Sequence, residues 1–221
     1  MLTVHHLGKS QSERIVWLCE ELRIPYELKR YSRAPVLAPE EYRALHPIGA
    51  APVITDRRPD GSELVLAESA AVVEYIIETY GNAQNGGPGL KPPKSDPAWP
   101  DYLYWFHFAN GTLQPAFMRL MISSRFSPPA DHPALKLGQQ RLERILTMTD
   151  KRLGEVPYLA GAQLTAADIM AVFSLTTMRH FFPYDLSPYA NIRAYLARIG
   201  ERPAYRRAME KGDPGMELLL G

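Results

Sequence analysis

Two hydroxyls stand close together near the start of the chain, in Gly8-Lys9-Ser10-Gln11-Ser12-Glu13-Arg14. They fall at the predicted start of a helix over Ser12 to Arg23, where Ser12 is well placed as N-cap. A third hydroxyl, Ser69, follows the acid Glu68 and can cap a helix from Ala70 to Tyr80. A helix N-terminus carries unpaired N–H groups and the positive end of the dipole, so it can hold an anion. Glu68 can accept from an ammonium group; the plain alternative is an N-cap beside a surface acid. Pro47-Ile48-Gly49-Ala50-Ala51-Pro52-Val53 is a turn-rich passage leading into a strand. A trans Pro52 would simply begin that strand, whereas a cis Pro52 would redirect the chain sharply.

The remaining reactive residues read as structural. Cys19 is the single cysteine and sits on an apolar helix stripe, so it reads as a buried packing residue. One cysteine excludes an internal disulfide framework and any all-cysteine metal site. His5 and His6 are neighbours in a predicted strand and point to opposite faces, so no shared metal is expected. Thr165-Ala166-Ala167-Asp168 has the form of a capping box, with Thr165 as N-cap and Asp168 at the third helical position.

These residues need elements to hold them. Leu2 to Leu7 reads as a strand, and Ser12 to Arg23 as a helix with Ile15, Val16, Leu18, Cys19 and Leu22 on one face and Glu13, Glu20, Glu21 and Arg23 mostly on the other. Pro25 stops that helix. Tyr26 to Tyr31 alternates as a second strand, and Pro39 to Leu45 can form a short helix. Val53 to Thr55 and Leu64 to Ala67 form a hairpin around Pro59-Asp60-Gly61, ahead of the helix that Gly81 terminates. Residues 82–97 are rich in glycine and proline and read as a linker. Helices alone follow, near Trp99 to Arg125, Pro133 to Leu153, Thr165 to Met178, Tyr189 to Glu201 and Pro203 to Lys211. The fold class is thus an α/β N-terminal domain with a four-stranded mixed sheet, followed by an all-α C-terminal domain.

Bulk properties exclude several functions. The 221 residues are 46% hydrophobic and 22% charged, with a net charge of +1. That suits a globular chain with a sizeable core and gives no basic footprint for nucleic acid. No apolar run nears the ~20 residues needed to cross a bilayer, and the first residues lack a secretory pattern, so a cytoplasmic location is expected.

Three local features, in order and at matching spacing, resemble the cytosolic glutathione transferase family, in its serine-type, bacterial and fungal-like form. They are the Pro47–Val53 loop, Leu66-Ala67-Glu68-Ser69, and Leu164-Thr165-Ala166-Ala167-Asp168-Ile169. The resemblance covers nearly the whole chain. It implies a thioredoxin-like domain at residues 1–81 that holds glutathione as co-substrate, a linker at 82–97, and a helical domain at 98–221 with a hydrophobic substrate site. It implies a cis Pro52, with Ala51 and Val53 near the cysteinyl unit. Val53 would offer its backbone N–H and C=O in a β-like pairing. Glu68 and Ser69 would anchor the γ-glutamyl end.

A hydroxyl after the first strand would stabilise the thiolate, and Ser10 and Ser12 are both candidates; Ser10 lies four residues before Arg14, as serine-type members often show. No cysteine occupies residues 8–13, which argues against a mechanism using an enzyme thiol. Ala50 stands where the family often has Lys or Gln, so His46, Lys9 or Arg33 would have to meet the glycyl carboxylate. Tyr104, Phe108, Thr112 and Met178 are the candidates for lining the second-substrate cleft, with Phe181 as a further possibility. The implied function is conjugation of glutathione to hydrophobic electrophiles in detoxification, by a homodimer without metal, nucleic acid or membrane partner. Two alternatives stay open: glutathione-dependent peroxide or disulfide reduction at the same site, and a non-catalytic binding or regulatory protein on this fold.

Overall fold

A computed structural model describes residues 1–127, 129 and 131–221. The chain forms two compact units: Met1–Lys91 with Gly200–Glu217, and Pro92–Ile199 with Leu218–Gly221. The first contains the strands β1 (Leu2–Leu7), β2 (Glu27–Tyr31), β3 (Val53–Arg57) and β4 (Glu63–Ala67), and the helices α1 (Glu13–Leu22), α2 (Glu40–Arg43), α3 (Ser69–Tyr80), α4 (Gly87–Leu90) and α10 (Pro203–Gly212). The sheet order is β2-β1-β3-β4. β1 pairs parallel with β2, while β1–β3 and β3–β4 are antiparallel. This is the mixed four-stranded sheet expected from the sequence.

α1 is buried on nearly every side, from Glu13 to Glu20 and again at Leu22. Its apolar stripe behaves as the 3.6-residue period requires. Its acidic face, opposite the apolar stripe, is covered by α10. Arg202 forks onto both carboxylate oxygens of Glu21 at 2.8 Å, Arg207 meets Glu20 at 2.9 Å, and Tyr205 packs edge-on against Trp17. Residues 200–217, counted with the helical segment in the sequence reading, therefore join the first unit. The α3 boundary also differs by one residue: Glu68 is the N-cap and Ser69 the first helical residue. Gly81 ends α3 at a close backbone crossing. A Cβ there would lie 2.4 Å from the Ile77 carbonyl oxygen, and one on Gly87 would lie 2.5 Å from the Gly81 Cα.

The second unit is helical: α5 (Trp99–Phe108), α6 (Gln114–Ser124), α7 (Pro133–Glu155), α8 (Ala166–Leu175) and α9 (Ala190–Gly200). The single helix expected over Trp99 to Arg125 is interrupted by a π turn at Ala109–Leu113, where the Gln114 N–H donates to the Ala109 carbonyl. Pro115 has no N–H to continue the regular ladder, and widening the turn is one way to pass it. α8 begins at the expected capping box. The Thr165 N–H donates to Asp168 Oδ2 at 2.8 Å, and the fully buried carboxylate also accepts from Leu159 N–H and Tyr195 Oη.

Candidate functional site

β1 delivers the chain to a tight loop at Gly8 and Lys9, after which α1 starts. Lys9 has φ +50°, and the loop is clamped from two sides. Arg33 donates to the carbonyls of Gly8 and Lys9, each at 2.9 Å, and the Lys9 N–H donates to Asp213 at 2.9 Å. Arg33 is thereby committed to the loop and is ill placed to serve a ligand carboxylate.

Ser10 and Ser12 emerge from this loop with their hydroxyl oxygens 2.7 Å apart. They differ in access: Ser10 is 5% exposed and Ser12 is 0% exposed. Ser12 is the N-cap of α1 by position, but its side chain does not cap the helix. It turns back to β1 instead, accepting from the Leu7 N–H at 3.1 Å and lying 3.0 Å from His6 Nδ1. His6 Nε2 is 3.0 Å from Asp213 Oδ2. Burial would raise the Asp213 carboxyl, but the His6 and Lys9 hydrogen bonds outweigh it and hold the group below the ordinary carboxylate range. His5 points the other way, between Tyr31 Oη and Thr55 Oγ1, and burial lowers its imidazole.

Arg14 ties two helix starts together. It is fully buried, and its guanidinium donates to Gln11 Oε1 at 2.7 Å and to Ser69 Oγ at 3.1 Å. Burial pulls it down to about 9, which leaves it charged at neutral pH. Ser69, at the start of α3, is thus held beside the start of α1. Glu68 sits ahead of it with φ +70° and ψ 112°, a backbone conformation costly for a residue with a Cβ.

The Ala51–Pro52 peptide is cis. Val53 is 0% exposed and pairs with His5 on one side and Ala67 on the other, so its backbone lies in the interior of the sheet. Ala51 keeps part of its surface open. His46 is part-buried, and its Nδ1 accepts from the Ile48 N–H at 3.3 Å. Cys19 is fully buried and burial pushes its thiol up, as its packing role requires.

The four positions assigned to a second substrate all lie in the helical unit. Tyr104 is exposed and Thr112 part-exposed, but Phe108 and Met178 are buried in that unit. Tyr104 stacks on Phe108 with ring centroids 5.7 Å apart, and Trp105 packs edge-on to both rings. His6 and Asp213 escape a reading of local sequence because 207 positions separate them. Arg14 does carry a sequence signal, a cation at helical spacing from Leu18 and Leu22 of the apolar stripe.

Known proteins share this architecture and sequence. A family model described as "Glutathione S-transferase, N-terminal domain" matches residues 10–79, and one described as "Glutathione S-transferase, C-terminal domain" matches residues 118–210. Glutathione S-transferase 3 of Schizosaccharomyces pombe is 34% identical over 96% of this chain and 88% of its own. A glutathione S-transferase structure from Actinobacillus pleuropneumoniae is 32% identical, with a TM-score of 0.84 over 98% of this chain and 95% of that one. A Pseudomonas fluorescens family member solved with two glutathione bound has the same fold, at 22% identity and a TM-score of 0.77 over 95% and 92% of the two chains. This chain belongs to the glutathione S-transferase family.

Proposed function

We propose that this glutathione S-transferase adds the thiolate of glutathione to an electrophilic carbon of a hydrophobic substrate, with Ser10 as the hydroxyl that donates to the sulfur. The carrying observation is the Arg14 bridge, which holds an anion-binding helix start at Ser69 next to the helix start that presents Ser10. Ser12, fully enclosed behind Ser10, cannot touch a ligand as it stands. A hydroxyl donor and the α1 dipole together lower the thiol from its free value of ~8.5, and the thiolate is the nucleophile. That glutathione is bound in the related Pseudomonas fluorescens structure supports the choice of thiol.

In this reading residues 1–81 hold glutathione. Ser69 and the first N–H groups of α3 receive the γ-glutamyl carboxylate, and Glu68 accepts from the ammonium. The bend at cis Pro52 leaves Ala51, rather than the enclosed Val53, to pair with the cysteinyl unit. His46 meets the glycyl carboxylate through Nε2, since Nδ1 serves its own turn. The helical segment from residue 98 holds the electrophile, with Tyr104 and Thr112 the accessible members of the predicted set. The buried, high-pKa Cys19 leaves no enzyme thiol for glutaredoxin-type exchange. A cytoplasmic homodimer completes the proposal; light scattering that finds only a species near 24.9 kDa removes the dimer.

The test is calorimetric titration of glutathione into wild type, Ser10→Ala and Glu68→Ala, with ultraviolet detection of the thiolate. The reading expects binding by wild type, lost affinity in Glu68→Ala, and retained binding without the thiolate signal in Ser10→Ala. A wild type that binds no glutathione overturns it. Turnover of a hydroperoxide or mixed disulfide, with none of a chloronitrobenzene, replaces conjugation by reduction at the same site.

A further inference from the structure

The hydroxyl pair does not end at Ser12. Ser10 Oγ, Ser12 Oγ, the His6 imidazole and the Asp213 carboxylate form an unbroken line with steps of 2.7, 3.0 and 3.0 Å. The line starts at the hydroxyl assigned to the thiol and ends at the C-cap of α10. We propose that it is a proton relay in which His6, backed by Asp213, receives the proton of the glutathione thiol through the two serines. This rests on the assignment of Ser10 to the thiol made above.

Hydrogen-bond direction carries the argument. Asp213, as a carboxylate, only accepts, so the His6 nitrogen that faces it, Nε2, bears a proton. In the neutral ring Nδ1 is then a lone pair and accepts from the Ser12 O–H. The competing acceptor for that proton, the Leu7 carbonyl, is farther away at 3.4 Å. Ser12 Oγ in turn accepts from the Leu7 N–H at 3.1 Å and from the Ser10 O–H. Ser10 Oγ accepts from the Ser12 N–H at 3.2 Å and has a second lone pair for an incoming S–H. In this state every proton of the line points inward, and Ser10 is an acceptor toward its ligand.

The transfer reverses the whole line. The S–H bond breaks and its proton joins Ser10 Oγ. The former Ser10 proton moves to Ser12 Oγ, and the former Ser12 proton moves to His6 Nδ1. Each serine finishes with one hydrogen, the sulfur carries −1 and the imidazole +1, so charge is conserved. Ser10 now points its O–H outward and donates to the thiolate it has just helped to form. A neutral His6 cannot support that outward direction without leaving two lone pairs opposed at Nδ1 and Ser12 Oγ, so the thiolate-stabilising state and the protonated ring are coupled.

The surroundings of His6 suit a transient cation only because of Asp213. Lys9 in the loop, Arg33 behind it and Arg30, at the matching register on β2, are cations near the ring; Tyr31 is neutral, and α1 contributes Ser12. The acid in contact is Asp213. Gly212 lets the ring seat against α10, since a Cβ there would lie 3.1 Å from Nε2 and Cε1. The His6 side chain is 1% exposed and that of Asp213 is 10% exposed. Asp213 lines an open cavity of about 540 Å³ with Gly8, Lys9 and Pro214, which gives the proton an exit to solvent after turnover. His6 and Asp213 act through Ser12 and Ser10, and are positioning residues with respect to the sulfur.

The decisive experiment counts protons. Glutathione is titrated near neutral pH into wild type, His6→Asn and Asp213→Asn, in two buffers of different ionisation enthalpy. The thiolate is followed by ultraviolet absorbance as a function of pH. The relay expects wild type to form the thiolate while releasing nearly no net proton, because the proton stays on His6. In both variants the thiolate curve moves up by about one pH unit, and affinity falls no more than about tenfold, the share carried by one unit of thiol pKa. A wild type that forms the thiolate and releases a full proton overturns the relay, as do variants that keep the wild-type thiolate curve. The wild-type count needs no variant, so a His6→Asn chain that fails to fold leaves the test standing. If wild type binds no glutathione, the assignment of the site fails first and the relay with it; if Glu68→Ala loses affinity while the wild-type proton count is one, the site stands and only the relay falls.

Discussion

Replacing Asp168 by Ala should destabilise the helical unit strongly, well beyond the loss of an ordinary helix cap. The carboxylate is fully buried and accepts from four donors: Leu159 N–H at 2.9 Å, Thr165 N–H at 2.8 Å, Thr165 Oγ1 at 3.2 Å and Tyr195 Oη at 3.0 Å. The threonine hydroxyl can turn elsewhere, whereas the two backbone N–H groups and the buried tyrosine cannot. Three stranded buried donors at ~1–3 kcal/mol each put the loss at about 3 kcal/mol or more. Burial pushes the Asp168 carboxyl up despite those donors, so the native carboxylate carries its own desolvation cost and the loss stays nearer about 3–5 kcal/mol. With a urea m-value of about 2–3 kcal/mol/M, the midpoint falls by about 1–2.5 M.

Urea unfolding followed by fluorescence measures this directly, because Trp99 and Trp105 lie in the helical unit and Trp17 in the other. Thr165→Ala is the calibrating variant, losing only the cap at ~0.5–2 kcal/mol. A midpoint shift for Asp168→Ala no larger than that of Thr165→Ala would refute the reasoning, since the carboxylate would then be a cap and nothing more.

Other consequences are as specific. The buried thiol of Cys19 should resist alkylation in the native protein and react only on unfolding; mass spectrometry showing labelling under native conditions would contradict its packing role. Glu20 is held below its ordinary range: burial opposes this, but Lys211, Arg207 and Tyr26 outweigh it. Its stabilising contribution is therefore complete above the unfolded carboxylate value of ~4.3 and is lost as pH falls through the lower folded value. Glu20→Gln should start less stable at neutral pH and show a flatter acid limb in urea midpoint against pH, whereas parallel curves would remove the ion pairs from the account. Glu68→Gly should be more stable than Glu68→Ala by about 1 kcal/mol in thermal unfolding, because glycine relieves the positive φ, while both lose glutathione affinity.

What the sequence shows of this fold is what neighbours along the chain decide. The strand at Leu2–Leu7, the stripe of α1, the stop at Gly81 and the Thr165–Asp168 box are each set by contacts within about a turn or a register position. The π turn is the instructive exception, because Pro115 is visible. Apolar periodicity continues through it on both sides, and the helix accommodates the missing N–H by widening rather than by ending. The partners of the acidic face of α1 are illegible for a different reason. Glu20 and Glu21 have the composition of a solvated face, and their partners Arg202, Arg207 and Lys211 stand some 180 to 190 positions away.

The candidate site divides along the same line. Residue types nominated Ser10, Ser12, Glu68, Ser69 and Pro52, and a hydroxyl beside a helix start is legible wherever it occurs. Which serine is the more enclosed is not legible, because that depends on a side chain turning back to β1 rather than capping its own helix. Nor was the company that this serine keeps. α10 covers the acidic face of α1 with Arg202, Arg207 and Lys211, and at its C-cap it sets Asp213 against His6. The same docking that neutralises α1 thus also completes the polar line behind Ser10. A substitution on α10 that loosens the Glu20 and Glu21 pairs should therefore disturb the thiol before it unfolds the unit, since the His6–Asp213 contact depends on the seat of that helix.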